Sequence, residues 1–261
     1  MYMRKNIFKI VKKIFHKFCY ILEKDMPTKY LGTTYGGWHI LDKELNDNLC
    51  VVSAGVGEDI SFDIEILSNF NAKVYFIDPT PRAIHHIESV INNLGNRKTR
   101  EYDEKSGIQV VESYELSDIK ASDFEFIDKA LFNKSNMNVR FFEPKSKKFV
   151  SHSISNFQND YRNDTKYINV STITLEEIVI FYKTDQIDIL KLDIEGAENQ
   201  VIHNFLRSKI YPKQILVEFD ELSTPFITPL IKSLMVIINL KINKYDLVKT
   251  DSFPNFLFVK K

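Results

Sequence analysis

Residues 49–61 read LCVVSAGVGEDIS, an apolar run followed at once by two glycines, Gly55 and Gly57, and then by two acids. A short, continuous apolar run indicates a strand that is buried on both faces, as the strands of parallel sheets are. Glycines directly after such a strand let the backbone turn sharply and pass close to a ligand at the start of the next helix. The stretch predicts the first strand–turn–helix unit of an α/β domain with a ligand at the turn; a turn that serves only packing is the alternative.

The rest of the chain continues this alternation. Strands are predicted over 49–53, 74–77, 124–131, 187–192 and 214–219, helices over 60–69, 83–94, 174–182, 197–206 and 229–240, and a final strand pair over 245–249 and 255–259. Buried strands that alternate with helices are typical of a parallel sheet covered by helices. A hairpin-like pair over 139–142 and 148–150 and a loop over 151–169 complete the middle of the chain.

Composition excludes several classes of protein. The chain has 261 residues, of which 44% are hydrophobic, so it can bury a large core and is neither disordered nor fibrous. Its 35 basic and 35 acidic side chains cancel, so no overall field favours a nucleic-acid partner. The two cysteines, Cys19 and Cys50, form no metal or redox motif, which favours a reducing, cytoplasmic compartment. No apolar run approaches the ~18 residues of a membrane span, and lysines interrupt the N-terminal stretch, so neither a span nor a cleavable signal is predicted.

The charge is unevenly distributed. Residues 1–24 hold seven basic side chains and one acidic one, and apolar residues recur there at helical spacing: Ile7, Val11, Ile14, Phe15, Phe18 and Leu22. This amphipathic helix either packs on its own domain or contacts a membrane surface or a partner chain. Residues 1–30 are predicted as a basic helical extension and 31–261 as the main domain, with an insertion around 95–170.

The turn after the first strand also indicates the kind of ligand. Asp78 ends the second strand, 21 residues beyond Gly57, where a carboxylate can accept hydrogen bonds from both ribose hydroxyls. A dinucleotide fingerprint needs a third glycine where this chain has Ile60, and Glu58 and Asp59 would repel a pyrophosphate. S-adenosylmethionine carries cationic groups and no phosphate, so the turn favours this methyl donor over NAD.

A second acidic cluster follows a later strand. Residues 187–198 read IDILKLDIEGAE and place Asp193 at the carboxyl end of a buried strand, where ligands of open α/β sheets bind. Glu195 and Glu198 are also explained by the positive end of the following helix. Asp193 is therefore the first candidate for a role in chemistry.

Five stretches resemble successive motifs of the FkbM-type methyltransferases. They are GVGEDISFD (55–63), FIDPTPR (76–82), VSHSI (150–154), LKLDIEGAE (190–198) and LVEF (216–219). The resemblance runs from about Tyr35 to the C-terminus and makes 31–261 a methyltransferase domain. It implies a class I (Rossmann-like) fold: a mostly parallel seven-stranded sheet with helices on both faces and an antiparallel final strand. It also implies S-adenosylmethionine as donor and O-methylation, often of sugars. Asp220 departs from the pattern, because related sequences often have histidine there.

Methyl transfer to a hydroxyl requires that the two reacting atoms be aligned and the acceptor's proton be removed. Asp193 is the first catalytic candidate, as general base or as ligand of a divalent ion. His152 is the second, because its loop should cover the crevice and an unperturbed imidazole has a pKa of about 6.5. Glu218 is the third, holding an acceptor hydroxyl or sharing a metal. Such oxygen ligands favour Mg²⁺ over zinc, although no metal is expected.

The predicted donor-binding set consists of Ser53, Gly55, Gly57, Glu58, Asp59, Asp78, Pro79, Thr80, Lys129, Ala130 and Asp193. The predicted function is S-adenosylmethionine-dependent O-methylation of a sugar hydroxyl in a glycan or an activated sugar precursor. Two alternatives stay open, a nucleotide-dependent sugar oxidoreductase and a non-catalytic adapter with a degenerate methyltransferase fold. The predicted partners are a carbohydrate or small-molecule acceptor, the inner face of a membrane through residues 1–24, and a second copy of the chain.

Overall fold

A computed structural model describes residues 2–45, 47–144, 151–159, 161–224, 226–251 and 254–261. The strand predicted over 148–150 lies outside these residues. The helices are α1 (Tyr2–Leu22), α2 (Ser61–Asn69), α3 (Pro81–Ile91), α4 (Leu175–Tyr182), α5 (Glu198–Arg207) and α6 (Ile227–Ile242). The strands are β1 (Lys29–Leu31), β2 (Trp38–Ile40), β3 (Leu49–Ala54), β4 (Ala72–Ile77), β5 (Phe124–Ile127), β6 (Ala130–Leu131), β7 (Asn138–Phe142), β8 (Tyr167–Ile173), β9 (Ile189–Leu192), β10 (Gln214–Glu218), β11 (Tyr245–Asp251) and β12 (Asn255–Lys260).

The main sheet has seven strands in the order β11-β12-β10-β9-β3-β4-β5. Neighbouring strands from β10 to β5 run parallel, whereas β12 runs antiparallel to both β10 and β11. The prediction of a mostly parallel seven-stranded sheet with an antiparallel final strand is confirmed.

Helices cover both faces of this sheet, as predicted. Successive residues of a strand point to opposite faces, so Val51 and Val52 enter different cores. The core on the Val52 side contains buried residues of α1, α4, α5 and α6. The core on the Val51 side contains buried residues of α2 and α3.

Local sequence explains where two of the helices begin. The Thr80 side chain accepts a hydrogen bond from Ala83 N, and Pro81 occupies the first helical position of α3. Thr174 Oγ1 accepts from Glu177 N at 3.2 Å and caps α4, which confirms the predicted cap.

Helix α1 packs against the same core as α4, α5 and α6. Phe15 and Cys19 are 5% and 1% exposed, and Lys24 N donates to Leu247 O of β11 at 2.8 Å. Ile14 belongs to the predicted apolar stripe, yet its side chain is 63% exposed. Nothing in the described part of the chain forms a helix long and apolar enough to cross a membrane.

The strand predicted over 124–131 is divided in the structure. Its first part, β5, is the edge strand of the main sheet, and its second part, β6, joins a separate sheet of order β6-β8-β7. Strand β7 pairs with β8, whose first residues lie within the loop predicted over 151–169. This part of the prediction is wrong because the break at residues 128–129 depends on pairings that are distant in sequence.

Candidate active site

Four strands of the main sheet end side by side. Ala54 of β3 pairs with Ile77 of β4 and with Leu192 of β9, and Leu192 pairs with Val217 of β10. Gly55, Asp78, Asp193 and Glu218 are the residues at or just after these ends. They line a cavity of about 580 Å³. In the sheet, β3 lies between β4 on one side and β9 on the other, so the order of the strands reverses at β3. The cavity lies at this reversal, which is where open α/β sheets bind ligands.

Gly55 brings the first and third of these ends into contact. Its φ is +76°, and a Cβ atom there would lie 1.6 Å from the carbonyl oxygen of Asp193. Asp193 N donates to Ala54 O at 3.1 Å, and the buried Lys191 Nζ donates to Gly55 O at 3.2 Å. Only glycine allows this approach, so the prediction that the turn needs a glycine has a steric cause here.

Asp78 is fixed by the turns on either side of it. Its Oδ2 accepts from Gly57 N at 3.0 Å, and its Oδ1 accepts from Thr80 N and Thr80 Oγ1 at 2.8 and 2.7 Å. Each carboxylate oxygen has more than one acceptor site, so Asp78 can still accept from a ligand hydroxyl. A Cβ atom on Gly57, which also lines the cavity, would meet no atom within 4 Å.

The two acids after Gly57 line the cavity but are engaged with protein groups. Glu58 forms an ion pair with Arg82 at the start of α3. Asp59 Oδ2 accepts from Thr33 Oγ1 at 2.6 Å, and its Oδ1 accepts from Ser61 N at 3.0 Å. The charge of Glu58 is offset by Arg82, and the carboxylate of Asp59 is hydrogen-bonded to Thr33. The sequence argument that both acids repel a phosphate is therefore weakened.

Two residues of the predicted donor-binding set do not line the cavity. Ser53 is fully buried within β3, and Lys129 is half-buried between β5 and β6. Both lie close in sequence to residues that do. The structure places the other members around the cavity: Gly55, Gly57, Glu58, Asp59, Asp78, Pro79, Thr80, Ala130 and Asp193.

Five acidic side chains gather at the ends of β9 and β10. They are Asp193, Glu195, Glu198, Glu218 and Asp220, which we call the acidic cluster. One carboxylate oxygen from each of Asp193, Glu195 and Asp220 lies within 4.8 Å of the others. The cluster forms the part of the site next to the Gly55 turn.

Burial and mutual repulsion raise the pKa values in this cluster. Burial, followed by the charge of Asp193, raises the pKa of Glu195 to about 7 and that of Glu218 to about 9. Burial also raises the pKa of Asp193, although the ammonium of Lys191 opposes the shift. At neutral pH the cluster therefore retains protons or needs a cation.

Glu198 has a structural role that sequence reasoning considered. Its Oε1 accepts from Ile194 N at 3.1 Å and from Gly196 N at 3.0 Å, so it fixes the turn that leads into α5. Burial raises its pKa to about 8. This turn holds the backbone of Glu195 in the left-handed region, with φ at +53°.

The segment that follows residue 150 contacts Glu195 and contributes His152 to the cavity. Gln158 Nε2 donates to Glu195 Oε2 at 2.8 Å, and Ser153 Oγ donates to the Glu195 carbonyl oxygen. His152 lines the cavity, and its ring stacks on Phe141 of β7 with 6.1 Å between centroids. All three predicted catalytic residues, Asp193, His152 and Glu218, thus border one space.

Two loops meet over this space. Thr34 N and Oγ1 both donate to Glu104 Oε2, at 2.7 and 2.8 Å, and the Tyr35 ring packs directly on Gly107. Burial, followed by the charges of Asp193 and Glu218, raises the pKa of Tyr35, so its hydroxyl lies near the acidic cluster. We call residues 33–38 and 103–109 the paired loops.

Sequence reasoning missed three residues of the site: Tyr35, Glu195 as a cavity residue, and Asp220. Glu195 and Asp220 each follow a predicted site residue, Asp193 or Glu218, by two positions, and this spacing was the available signal. For Tyr35 the only signal was its place in a glycine-rich, aromatic stretch.

Comparison with known proteins agrees with the geometry. Residues 39–247 match the family model described as the methyltransferase FkbM domain. The chain therefore belongs to the FkbM methyltransferase family, as the sequence resemblance predicts, and the usual cofactor of methyltransferases is S-adenosylmethionine. Neither the curated proteins nor the solved structures contain a match to this chain.

Proposed function

We propose that this protein is a class I methyltransferase that uses S-adenosylmethionine to methylate a hydroxyl of a sugar, in a glycan or an activated sugar precursor, in the cytoplasm. The observation that carries the proposal is that Gly57 and Asp78 line the same cavity as three acids of the acidic cluster, Asp193, Glu195 and Glu218. The first feature suits a nucleoside and the second suits proton removal from a hydroxyl.

The residues present fit the methyl donor. The space above Gly57 is open, and Asp78 presents a carboxylate that is already oriented by three hydrogen bonds. The cavity volume of about 580 Å³ lies within the usual range for ligand pockets, about 300–1,000 Å³. When bound, S-adenosylmethionine supplies a methyl carbon activated by its sulfonium.

Asp193 and His152 are the groups proposed to take the acceptor's proton. The raised pKa of Asp193 makes its carboxylate a stronger base near neutral pH than an exposed aspartate. Glu218, with a pKa of about 9, keeps its proton at neutral pH. It therefore donates a hydrogen bond to the acceptor instead of removing its proton.

The walls of the cavity suit a sugar acceptor. Tyr30, Tyr35 and Trp38 line it together with Asp193 and Glu218. Aromatic side chains combine an apolar face with a polar edge, and carboxyl groups bind hydroxyls. A sugar ring offers both kinds of surface to such walls.

Thermal unfolding with S-adenosylhomocysteine, with NAD and without ligand tests the donor assignment. A ligand at 100 times its dissociation constant adds about 2.7 kcal/mol of stability. We expect a shift with S-adenosylhomocysteine alone, and we expect Asp78→Ala to abolish it while the unliganded protein still unfolds cooperatively. A shift with NAD alone would favour the oxidoreductase, and no shift with either would favour the adapter.

Transfer of labelled methyl to a panel of sugar nucleotides and oligosaccharides then tests the reaction. We expect Asp193→Asn and His152→Ala to reduce turnover while affinity for S-adenosylhomocysteine is retained. Full activity of both variants would remove these residues from the chemistry.

A further inference from the structure

We propose that Asp193, Glu195 and Asp220 form a binding site for one divalent cation with oxygen ligands, such as Mg²⁺, Mn²⁺ or Ca²⁺. The inference rests on the proposed function, because the site borders the same cavity. It goes further by naming a cofactor and by assigning roles to Glu195 and Asp220.

The positions of the oxygens suit a single ion. Two oxygens bound to one ion lie at most two metal–oxygen distances apart, which is about 4.2 Å for Mg²⁺ and about 4.8 Å for Ca²⁺. The three carboxylate oxygens lie within 4.8 Å of one another. Three atoms no more than 4.8 Å apart all lie within about 2.8 Å of a common centre. The oxygens therefore reach the Ca²⁺ distance of about 2.3–2.6 Å after a small inward movement, and the Mg²⁺ distance of about 2.0–2.1 Å after a larger one.

Asp220 provides a second, independent observation. Its side chain is 9% exposed, and its Oδ2 accepts no hydrogen bond from an N–H or hydroxyl group among the described residues. The groups that it contacts are other carboxyls, those of Glu198 and Glu218. Burying a carboxylate oxygen without a partner is costly unless the group pairs with a cation or coordinates a metal. One carboxylate oxygen of Asp220 lies within 4.8 Å of oxygens of Asp193 and Glu195, so an ion that paired with Asp220 would lie between the three side chains.

The charge of the surroundings points the same way. The acidic cluster has five carboxyl groups. The positive charge that acts on Asp193 is the ammonium of Lys191. Carboxylates this close cannot all ionise without a counter-charge. One divalent ion among the carboxyl groups would supply two positive charges.

A bound ion would also determine which residue accepts the acceptor's proton. With Asp193 engaged as a ligand, His152 is the group left to accept the proton. An ion bound beside the cavity would lower the pKa of an acceptor hydroxyl in contact with it, which would make removal of the proton easier.

Metal binding is measured directly on the chelator-treated full-length protein, without donor or acceptor. Isothermal titration with MgCl₂, MnCl₂ and CaCl₂, and loss of the free Mn²⁺ electron-spin resonance signal, report the site. We expect saturable binding of one ion per chain and a rise in the unfolding temperature with the same ion.

Asp220→Asn and Glu195→Gln should each weaken binding by about tenfold or more, the effect typical of disturbing a metal site. Two variants are used because Asp220 is buried and its substitution alone could impair folding, whereas Glu195 lines the cavity. Asp246→Asn is the matched control, because Asp246 pairs with Lys241 and Lys261 elsewhere on the surface.

Absence of saturable binding by all three ions, or unchanged affinity in both variants, would overturn the inference. The S-adenosylhomocysteine titration separates this failure from that of the proposed function. Donor binding without metal binding removes only the cation site, and metal binding without donor binding removes only the methyl-donor assignment.

Discussion

Gly55 shows how closely one residue can control this site. Its backbone takes a conformation that costs other residues about 1–3 kcal/mol, and its hydrogen faces the Asp193 carbonyl at a distance that leaves no room for a methyl group. Gly55→Ala should therefore lower the free energy of unfolding by at least about 1–3 kcal/mol and weaken the binding of S-adenosylhomocysteine. Urea denaturation and ligand titration measure the two effects.

Gly57→Ala is the matched control for this prediction. Gly57 also has a positive φ, +56°, but its Cβ would enter open space. It should share the conformational cost without the steric overlap. Equal stability of the two variants would mean that the contact with Asp193 is not the cause.

His86 makes stability depend on pH. It is buried, its Nε2 lies 2.9 Å from the Tyr114 hydroxyl, and burial lowers its pKa to about 4. Because the unfolded pKa is about 6.5, the folded state resists protonation, and the stability present above pH 6.5 is lost as the pH falls toward 4. The loss is roughly 3 kcal/mol by linkage.

Comparison with His86→Gln isolates this contribution from the carboxylates that titrate in the same range. Glutamine can still hydrogen-bond to Tyr114 and does not titrate. We expect the unfolding free energy of the wild type minus that of the variant to fall as the pH falls from 6.5 to 4, because only the wild type has His86 to protonate. A constant difference over that range would show that His86 is not held neutral.

At the scale of elements, the packing of α1 on the core can be tested by substituting the residues that it buries. Phe15 is 5% exposed within the core shared with α6, and Phe-to-Ala changes in cores cost about 3–5 kcal/mol. Phe15→Ala should approach this loss in urea denaturation. Ile14→Ala, at a neighbouring site that is 63% exposed, should change stability by less than about 0.5 kcal/mol. Similar results for both variants would argue against docking of α1 on the sheet.

The same helix shows what could be predicted from sequence. Helical spacing was enough to identify α1, and apolar runs were enough to place β3, β4, β9 and β10, because both patterns are local. Which side of α1 faces the core depends on β11 and α6, which lie more than 200 residues away. Helical spacing alone therefore does not show that Ile14 points away from the core.

Long-range contacts also explain the errors at the site. The direction of Glu58 is set by Arg82 and that of Asp59 by Thr33, and neither partner is suggested by the GVGED stretch itself. Tyr35 belongs to the site because residues 103–109 fold against it. The strand ends could be predicted, whereas the loops that close the cavity could not.

At the scale of the whole molecule, one surface combines apolar and basic side chains. The exposed side of α1 carries Ile10, Ile14 and Ile21 next to Lys13 and Lys17. Helix α6, which contacts α1, exposes Ile231, Met235, Ile238 and Ile242 at helical spacing. This surface is where the predicted membrane contact would form.

Flotation with vesicles that contain anionic lipid tests the membrane prediction. We expect binding that weakens as salt rises, since the screening length falls from about 10 Å at 0.1 M to about 3 Å at 1 M. Lys13→Glu with Lys17→Glu should reduce binding, whereas Lys98→Glu with Lys105→Glu, at exposed positions far along the chain, should not. If no vesicle binds at any salt, the mass in solution shows whether a second copy covers the surface.

Lys191 connects the two halves of the cavity. Its ammonium donates to the carbonyl of Gly55 on the donor side and lies within electrostatic reach of Asp193 on the acidic side. Any ligand that alters the charge of the acidic cluster therefore changes the pull on the glycine turn. By thermodynamic reciprocity the two binding events must then change each other's affinity by the same factor. Through this one buried side chain, the free energy of filling both halves of the cavity differs from the sum of the two separate binding free energies.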